Sequence, residues 1–240
     1  MRPRSAVAVW VAALLLGGTA GVVTPDLLAG STAAEPSAPT PSPSPSPSPS
    51  PSPSPSPRPT AADLLSVRSF AEASVTVVDQ SPRTPDRSVD ATSCVSDDVH
   101  VTATLREVTG HDPVLEGDWT ETATADEARQ LVAVADDEED ARRSVTRLAI
   151  AMQACEESTP GHFVLGPPST QDYSPTRSAT AVGFYPAALN RSGRAPTDTE
   201  PCGGTLLARN GTRFSNVVVF MCLDGAQLAG LAEAASERLG

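Results

Sequence analysis

Between Pro36 and Pro59 the sequence is almost a pure proline–serine dipeptide repeat. Alternate prolines fix the backbone φ angle and remove half of the amide donors, so neither a helix nor a sheet can form there. The stretch is therefore predicted to be an extended, polyproline-like spacer of roughly 75 Å, at ~3.1 Å for each of about 24 residues. A passive linker with no required length is the alternative. We assign a linker to residues 35–60 and one folded domain to residues 61–240.

The residues before this linker have the pattern of a membrane-targeting segment. Arg2 and Arg4 precede an uncharged apolar run that begins at Ala6 and extends to Val23. About 18 apolar residues are long for the core of a signal peptide and short for a membrane span. Residues 1–34 are therefore expected to be either a cleaved signal peptide or a retained anchor with its N-terminus inside. Both alternatives predict an exported protein, anchored to the membrane and facing outward, or secreted.

The charge of the chain argues against several classes of function. All 17 basic residues are arginines, so no lysine is present to form a Schiff base or to bind nucleotide phosphates. Three of these arginines and two of the 29 acidic residues precede Thr60, which leaves the folded part with a net charge near −13. Such a surface repels phosphate backbones, so we expect no nucleic-acid partner.

The predicted folded domain contains strands and helices without a regular strand–helix alternation. Residues 99–107 alternate between apolar and polar side chains, which predicts a half-buried strand. The clearest helix follows the acidic run 136–140, with Asp136 as N-cap and an apolar stripe that ends at Cys155. Asn210-Gly211 predicts the turn of a hairpin, and Asp224 is expected to cap a last helix. Shorter elements are expected as a helix at 61–73, strands at 74–78, 119–124, 129–135 and 178–185, and a turn region at 110–117. This order predicts an α+β fold with an antiparallel β-sheet.

Four cysteines lie in the predicted domain: Cys94, Cys155, Cys202 and Cys222. An even number of cysteines in an exported protein indicates two disulfides, and four cysteines allow three pairings. Cys202 and Cys222 lie on adjacent strands of the predicted hairpin and are the easiest pair to join, which leaves Cys94 with Cys155. A zinc site is the weaker interpretation, because no CxxC occurs and the spacings are wide.

The order of several short motifs resembles the PknH-like extracellular sensor domain family of actinobacterial membrane-anchored and secreted proteins. The motifs are Leu64-Leu65-Ser66, Cys94, Gly117-Asp118-Trp119, the passage from Asp140-Ala141 to Cys155, Cys202, Asn216-Val217-Val218-Val219, Cys222 and the closing helix. The resemblance implies an α+β domain whose sheet and helices enclose a cleft. It also implies disulfides between the first and second and between the third and fourth cysteines. This chain departs from the family pattern at Met152 and Ser215, and it has no kinase domain.

No catalytic signature or metal motif is found. His100, His111 and His162 are scattered, no HExxH or GxSxG sequence occurs, and the acidic run at 136–140 fits helix capping better than a calcium loop. We therefore predict no catalytic residues, no metal and no cofactor. The domain is poor in aromatic residues, and four of them are candidate ligand-binding residues: Trp119, Tyr173, Phe184 and Tyr185. Packing of these rings in the core is the alternative.

These observations together predict a non-enzymatic, ligand-binding or sensor-like domain displayed at the cell envelope. The expected partner is a small molecule, a glycan, a lipid or another envelope protein. An envelope structural or protein-interaction module is the first alternative function. A hydrolase that the sequence motifs do not reveal is the second, and a cleft with two carboxylates would favour it.

Overall fold

The computed structural model describes residues 58–79, 82–85, 90–95, 100–159, 161–192 and 198–240. The predicted targeting segment at 1–34 and nearly all of the predicted linker lie outside these residues. Within the described part of the chain, no helix is both long enough and apolar enough to cross a membrane.

Ten strands and four α-helices form the described domain. The strands are β1 (Val77–Asp79), β2 (Asp90–Val95), β3 (His100–Thr104), β4 (Pro113–Glu121), β5 (Glu127–Val134), β6 (Val164–Leu165), β7 (Ser169–Asp172), β8 (Arg177–Tyr185), β9 (Gly204–Asn210) and β10 (Arg213–Val219). The helices are α1 (Val67–Glu72), α2 (Leu105–Thr109), α3 (Glu138–Ser158) and α4 (Gly225–Arg238). This composition confirms the α+β prediction.

Antiparallel pairing joins eight of the strands into one sheet. Its order is β1-β4-β5-β10-β9-β8-β6, and β7 also pairs with β8. Strands β2 and β3 form a separate hairpin, which packs against α3. The predicted hairpin of β9 and β10 is confirmed, with Gly211 in a left-handed conformation at the turn (φ 58°). Glycine adopts this conformation without steric cost.

Apolar side chains cover both faces of the sheet, so the domain has three layers. On one face α1 and α4 pack over residues such as Val132, Leu206 and Val217. On the other face α2 and α3 pack over Leu131, Leu207 and Phe214. Neighbouring residues of one strand belong to opposite cores because successive strand side chains point to opposite faces.

Side-chain caps explain where several helices begin. Thr104 and Glu107 form a capping box at the start of α2, so the predicted strand at 99–107 ends at Thr104 and a helix follows. Asp137, rather than the predicted Asp136, accepts a hydrogen bond from the Asp140 amide and caps α3. Asp224 and Gln227 form the capping box of α4, as the sequence indicated for that helix.

Two further predictions about local structure were wrong. The predicted helix at 61–73 is a 3₁₀ turn at 61–63 followed by α1, because Leu64 is extended and the Leu65 amide donates to Gln130 of β5. The predicted turn region at 110–117 lies largely in β4, which begins at Pro113. Proline is tolerated as the first residue of a strand, where its missing N–H costs least.

One of the two predicted disulfides is found among the described side chains. Cys202 precedes β9, Cys222 follows β10, and the two are joined, which closes the base of this hairpin. Cys155 also carries no free thiol. The side chain of its predicted partner Cys94 lies outside the described residues, so the Cys94–Cys155 pairing stays a prediction.

Candidate functional site

A cleft of about 340 Å³ lies on the α3 side of the sheet. The last turns of α3, the segment that follows α3 and the neighbouring ends of five strands form its walls. The strands are β4, β5, β8, β9 and β10, whose side chains reach the cleft where α3 no longer covers them. A volume of this size is at the lower end of small-molecule pockets.

One wall of the cleft carries alternating charges. Glu116 and Asp118 lie two residues apart on β4, and Arg129 lies on β5 directly opposite Asp118. Arg83 Nη2 lies 2.7 Å from Glu116 and 2.8 Å from Asp118, while Arg129 Nε lies 3.1 Å from Asp118 and 3.4 Å from Glu116. We call these four residues the charged wall. Each carboxylate in it contacts both arginines. Arg83, Asp118 and Arg129 border the cleft, and the buried Glu116 lies behind them.

Backbone pairing holds Arg83 beside β4. Its amide donates to the Glu116 carbonyl and its carbonyl accepts from the Glu116 amide, and both nitrogen–oxygen distances are 3.0 Å. The side chain is thus fixed at both ends, by this bridge and by the carboxylates. The hydrogen bond to Glu116 raises the pKa of the Arg83 guanidinium above its ordinary value, while burial acts in the opposite direction. Arg83 therefore stays cationic over the whole range in which proteins are folded.

The opposite wall is apolar and aromatic. Phe163 and Phe184 stack with their ring centroids 5.0 Å apart and their planes 3° from parallel. Phe220 lies 6.4 Å from Phe184, and 48% of its surface is exposed at the edge of the cleft. We call these three residues the phenylalanine wall. Leu165, Met152 and Val218 extend its apolar surface into the cleft.

The four aromatic residues predicted to bind a ligand do not lie together. Phe184 belongs to the phenylalanine wall. Trp119 borders the cleft, but its side chain is fully buried and its ring packs against Phe70 with centroids 5.2 Å apart. Tyr185 follows Phe184 along β8 and therefore points to the other face of the sheet. Tyr173 lies at a second groove, described below.

The three histidines are also separated. His162 is buried and borders the cleft, where its ring meets Phe163 edge-on. His111 lies elsewhere, with Nε2 2.6 Å from the Asp140 carboxylate. The side chain of His100 lies outside the described residues. Among the side chains that are described, no three histidine, cysteine or acidic groups are arranged to hold a metal ion.

A second groove of about 690 Å³ runs between α3 and strands β7 and β8. Its walls combine serine and threonine side chains with apolar ones, together with Arg142, Arg209 and Tyr173. The Tyr173 ring packs under Arg177, whose guanidinium carbon lies 4.4 Å from the ring centroid. Burial, with a smaller contribution from Glu233, raises the pKa of Tyr173 above its ordinary value. This groove lacks the close pairing of a charged and an aromatic wall that marks the cleft.

Most residues of the cleft carry no pattern in the sequence that marks them. Arg83, Arg129, Phe163 and Phe220 were not singled out, and they come from four separate segments of the chain. One readable signal was the placement of Glu116 and Asp118 on the same face of one strand. Their arginine partners become visible only with the register between β4 and β5.

Comparison with known proteins gives a weak fold-level resemblance. No protein-family model and no curated protein matches this chain. The solved structure of the extracellular domain of PknH from Mycobacterium tuberculosis is similar at a TM-score of 0.40 and 11% sequence identity, over 75% of this chain and 93% of that one.

Proposed function

We propose that this domain is an extracytoplasmic binding module and that the cleft beside the end of α3 is its ligand site. The observation that carries the proposal is the combination of two chemically different walls around one small cavity. Pockets for small molecules are mostly apolar with a few placed polar groups that fix the ligand's orientation. The phenylalanine wall supplies the apolar surface, and the charged wall supplies the polar groups.

Placement outside the cytoplasm is supported by the disulfide between Cys202 and Cys222. Structural disulfides persist in oxidising compartments and are rare in reducing ones. The basic and apolar pattern of residues 1–34 adds to this support. Export and display at the envelope therefore remain part of the proposal.

A binding role explains the carboxylates of the cleft better than a hydrolytic one. Glu116 and Asp118 are the pair that a hydrolase would need at this site, and both contact Arg83 and Arg129. A catalytic pair requires one carboxyl group that gives up a proton and one that acts as base or nucleophile. The same two guanidiniums compensate the charge of both carboxylates, which does not favour such a division of roles.

A thermal-shift screen of the full-length chain tests the proposal. The compounds are small metabolites, short glycans and soluble lipids, and the variants are Phe220→Ser and Ile150→Ser. Phe220 lies at the cleft, whereas Ile150 is an exposed apolar residue of α3 that borders neither cavity. A ligand at 100 times its Kd stabilises the folded state by about 2.7 kcal/mol, a shift of roughly 5–10 °C for a domain of this size.

We expect at least one compound to stabilise the wild-type chain and Ile150→Ser, and to have a much smaller effect on Phe220→Ser. Stabilisation by no compound, or equal stabilisation of both variants, would contradict the assignment of the cleft.

A further inference from the structure

We infer that the cleft binds small amphipathic anions: molecules with a carboxylate or phosphate group on Arg83 and Arg129 and an apolar body against the phenylalanine wall. This inference rests on the proposed function, because it takes the cleft as the ligand site. It adds the charge and the shape of the ligand, which no feature of the sequence had indicated.

The members of the charged wall differ in exposure. The side chains of Glu116 and Asp118 are 1% and 18% exposed, whereas those of Arg83 and Arg129 are 52% and 44% exposed. Glu116 therefore lies behind the arginines, whereas Asp118 borders the cleft beside them. The guanidinium groups are the most exposed members of the charged wall, so a ligand that enters the cleft meets them first. The role of the two acids, Glu116 buried and Asp118 partly buried, is to hold these groups in place.

Several N–H donors of Arg83 and Arg129 remain for a ligand. Arg83 uses Nη2 for its hydrogen bond to Glu116, and Arg129 uses Nε for its hydrogen bond to Asp118. The other guanidinium nitrogens of these two arginines donate no hydrogen bond to a described residue. A guanidinium presents five N–H donors in a planar fork that matches carboxylate and phosphate oxygens. Two partly exposed forks, already oriented, are suited to one shared anion.

The phenylalanine wall lies in the same cavity as the two arginines. Phe220 and Arg129 border the same cavity of about 340 Å³, so a ligand that reaches the guanidiniums also contacts the phenylalanine wall. An inorganic anion alone would leave the aromatic surface exposed to water. A small molecule with an apolar body covers that surface, and removing this apolar area from water favours binding.

Glu127 is the residue that opposes this inference. It borders the cleft on β5, two residues from Arg129 and on the same face, and it contacts neither arginine in an ion pair. Its carboxylate repels an anion. Salt at physiological ionic strength screens this repulsion over a distance of about 8 Å. Removing this charge should therefore improve anion binding, which provides a test in the opposite direction to the loss of an arginine.

A series of probes with one apolar body and different head groups tests the inference. We would titrate the full-length chain by calorimetry with 3-phenylpropionate, phenethyl phosphate, neutral 3-phenylpropionamide and cationic 3-phenylpropylamine. We expect one or both anions to bind at least tenfold more tightly than the amide and the amine. The tighter anion then identifies the head group. Binding of the amide or amine as tightly as the anions would overturn the inference while leaving the cleft as a binding site. Binding of no probe would count against both.

Three variants place the binding in the cleft. Arg129→Gln should weaken anion binding about tenfold or more, because a charge-assisted hydrogen bond is lost. Glu127→Gln should strengthen it about twofold to threefold, and it leaves all four members of the charged wall intact. Arg142→Gln, at an exposed arginine of the second groove, is the matched control and should leave it unchanged. If Arg129→Gln unfolds, the Glu127→Gln variant still tests the inference. Anion binding by Glu127→Gln that is weaker than or equal to that of the wild-type chain would refute it.

Discussion

The buried carboxylate of Glu116 allows one chemical change to be compared at two depths in the same protein. Glu116→Gln keeps the side-chain shape but removes the charge that Arg83 contacts at 2.7 Å. Glu72→Gln makes the same change in the pair of Arg68 and Glu72 on α1, where the nitrogen–oxygen distance is 2.9 Å. The Glu116 side chain is 1% exposed and the Glu72 side chain is 65% exposed. Distance is nearly matched, whereas burial differs, and Glu116 also lies 3.4 Å from Arg129.

The expected magnitudes follow from this exposure. Losing one partner of a buried pair costs about 3–5 kcal/mol at most, and a hydrogen bond to a charged group is worth about 1.5–3 kcal/mol. Because Arg83 is half exposed, water screens the pair, and we expect about 2 kcal/mol for Glu116→Gln. An exposed pair four residues apart on a helix is worth about 0.3–0.5 kcal/mol. The melting temperature should fall by roughly 4–8 °C for Glu116→Gln and by no more than about 2 °C for Glu72→Gln.

Urea unfolding of the two variants and the wild-type chain, followed by circular dichroism, measures both free energies. Combining Glu116→Gln with Arg83→Gln should cost less than the sum of the single changes, because the two residues interact directly. Equal losses for Glu116→Gln and Glu72→Gln, or strict additivity with Arg83→Gln, would refute the reasoning that burial strengthens the charged wall.

Two other properties of the domain can be tested separately. Replacing Cys202 and Cys222 together by alanine should lower the free energy of unfolding by about 3 kcal/mol, because the unfolded chain is no longer closed into a loop of 20 residues; an unchanged urea midpoint would contradict this. Burial alone would raise the pKa of Asp140, but hydrogen bonds from His111 and Arg143 outweigh it and lower that pKa below its ordinary value. A carboxyl group whose pKa is lower in the folded state stabilises the protein above its unfolded pKa and loses this contribution as the pH falls through the folded pKa. Unfolding measured from pH 7 to pH 2 should therefore show a weaker acid dependence for Asp140→Asn than for wild type, and identical profiles would show that Asp140 does not contribute.

Local patterns in the sequence predicted the elements that caps, turn residues and apolar spacing determine. The stripe that ends at Cys155 is the buried side of α3, and the capped helix after Asp224 is α4. The Asn210-Gly211 turn is found between β9 and β10. In each case caps, turn residues and apolar spacing all favour the same structure. The start of α2 was missed although it has a readable signal, since Thr104 and Glu107 stand at capping-box spacing. The alternation of the preceding strand extended through these residues and concealed the helix.

The cleft could not be predicted in the same way because its walls are made by contacts between distant segments. Arg83 and Glu116 are 33 residues apart and meet only through a backbone bridge beside β4. Strand alternation did contain one usable constraint: Phe184 and Tyr185 are consecutive on β8, so their rings cannot line the same cleft. The burial of Trp119 follows from the packing of α1 on the sheet, which spacing alone does not determine.

The chain enters the domain on the face of the sheet that α4 covers. Asp63 pairs there with Arg213 of β10, and Gln130 of β5 accepts a hydrogen bond from the Leu65 amide. The cleft lies on the other face, so the whole thickness of the sheet separates it from the first described residues of the domain. Force applied at Thr60 would reach α4 through Arg238, which donates to the Ala62 carbonyl, and the central strands β5 and β10 through Gln130 and Arg213. Such a force would therefore load the middle of the sheet rather than an edge, on the face opposite the charged wall and the phenylalanine wall.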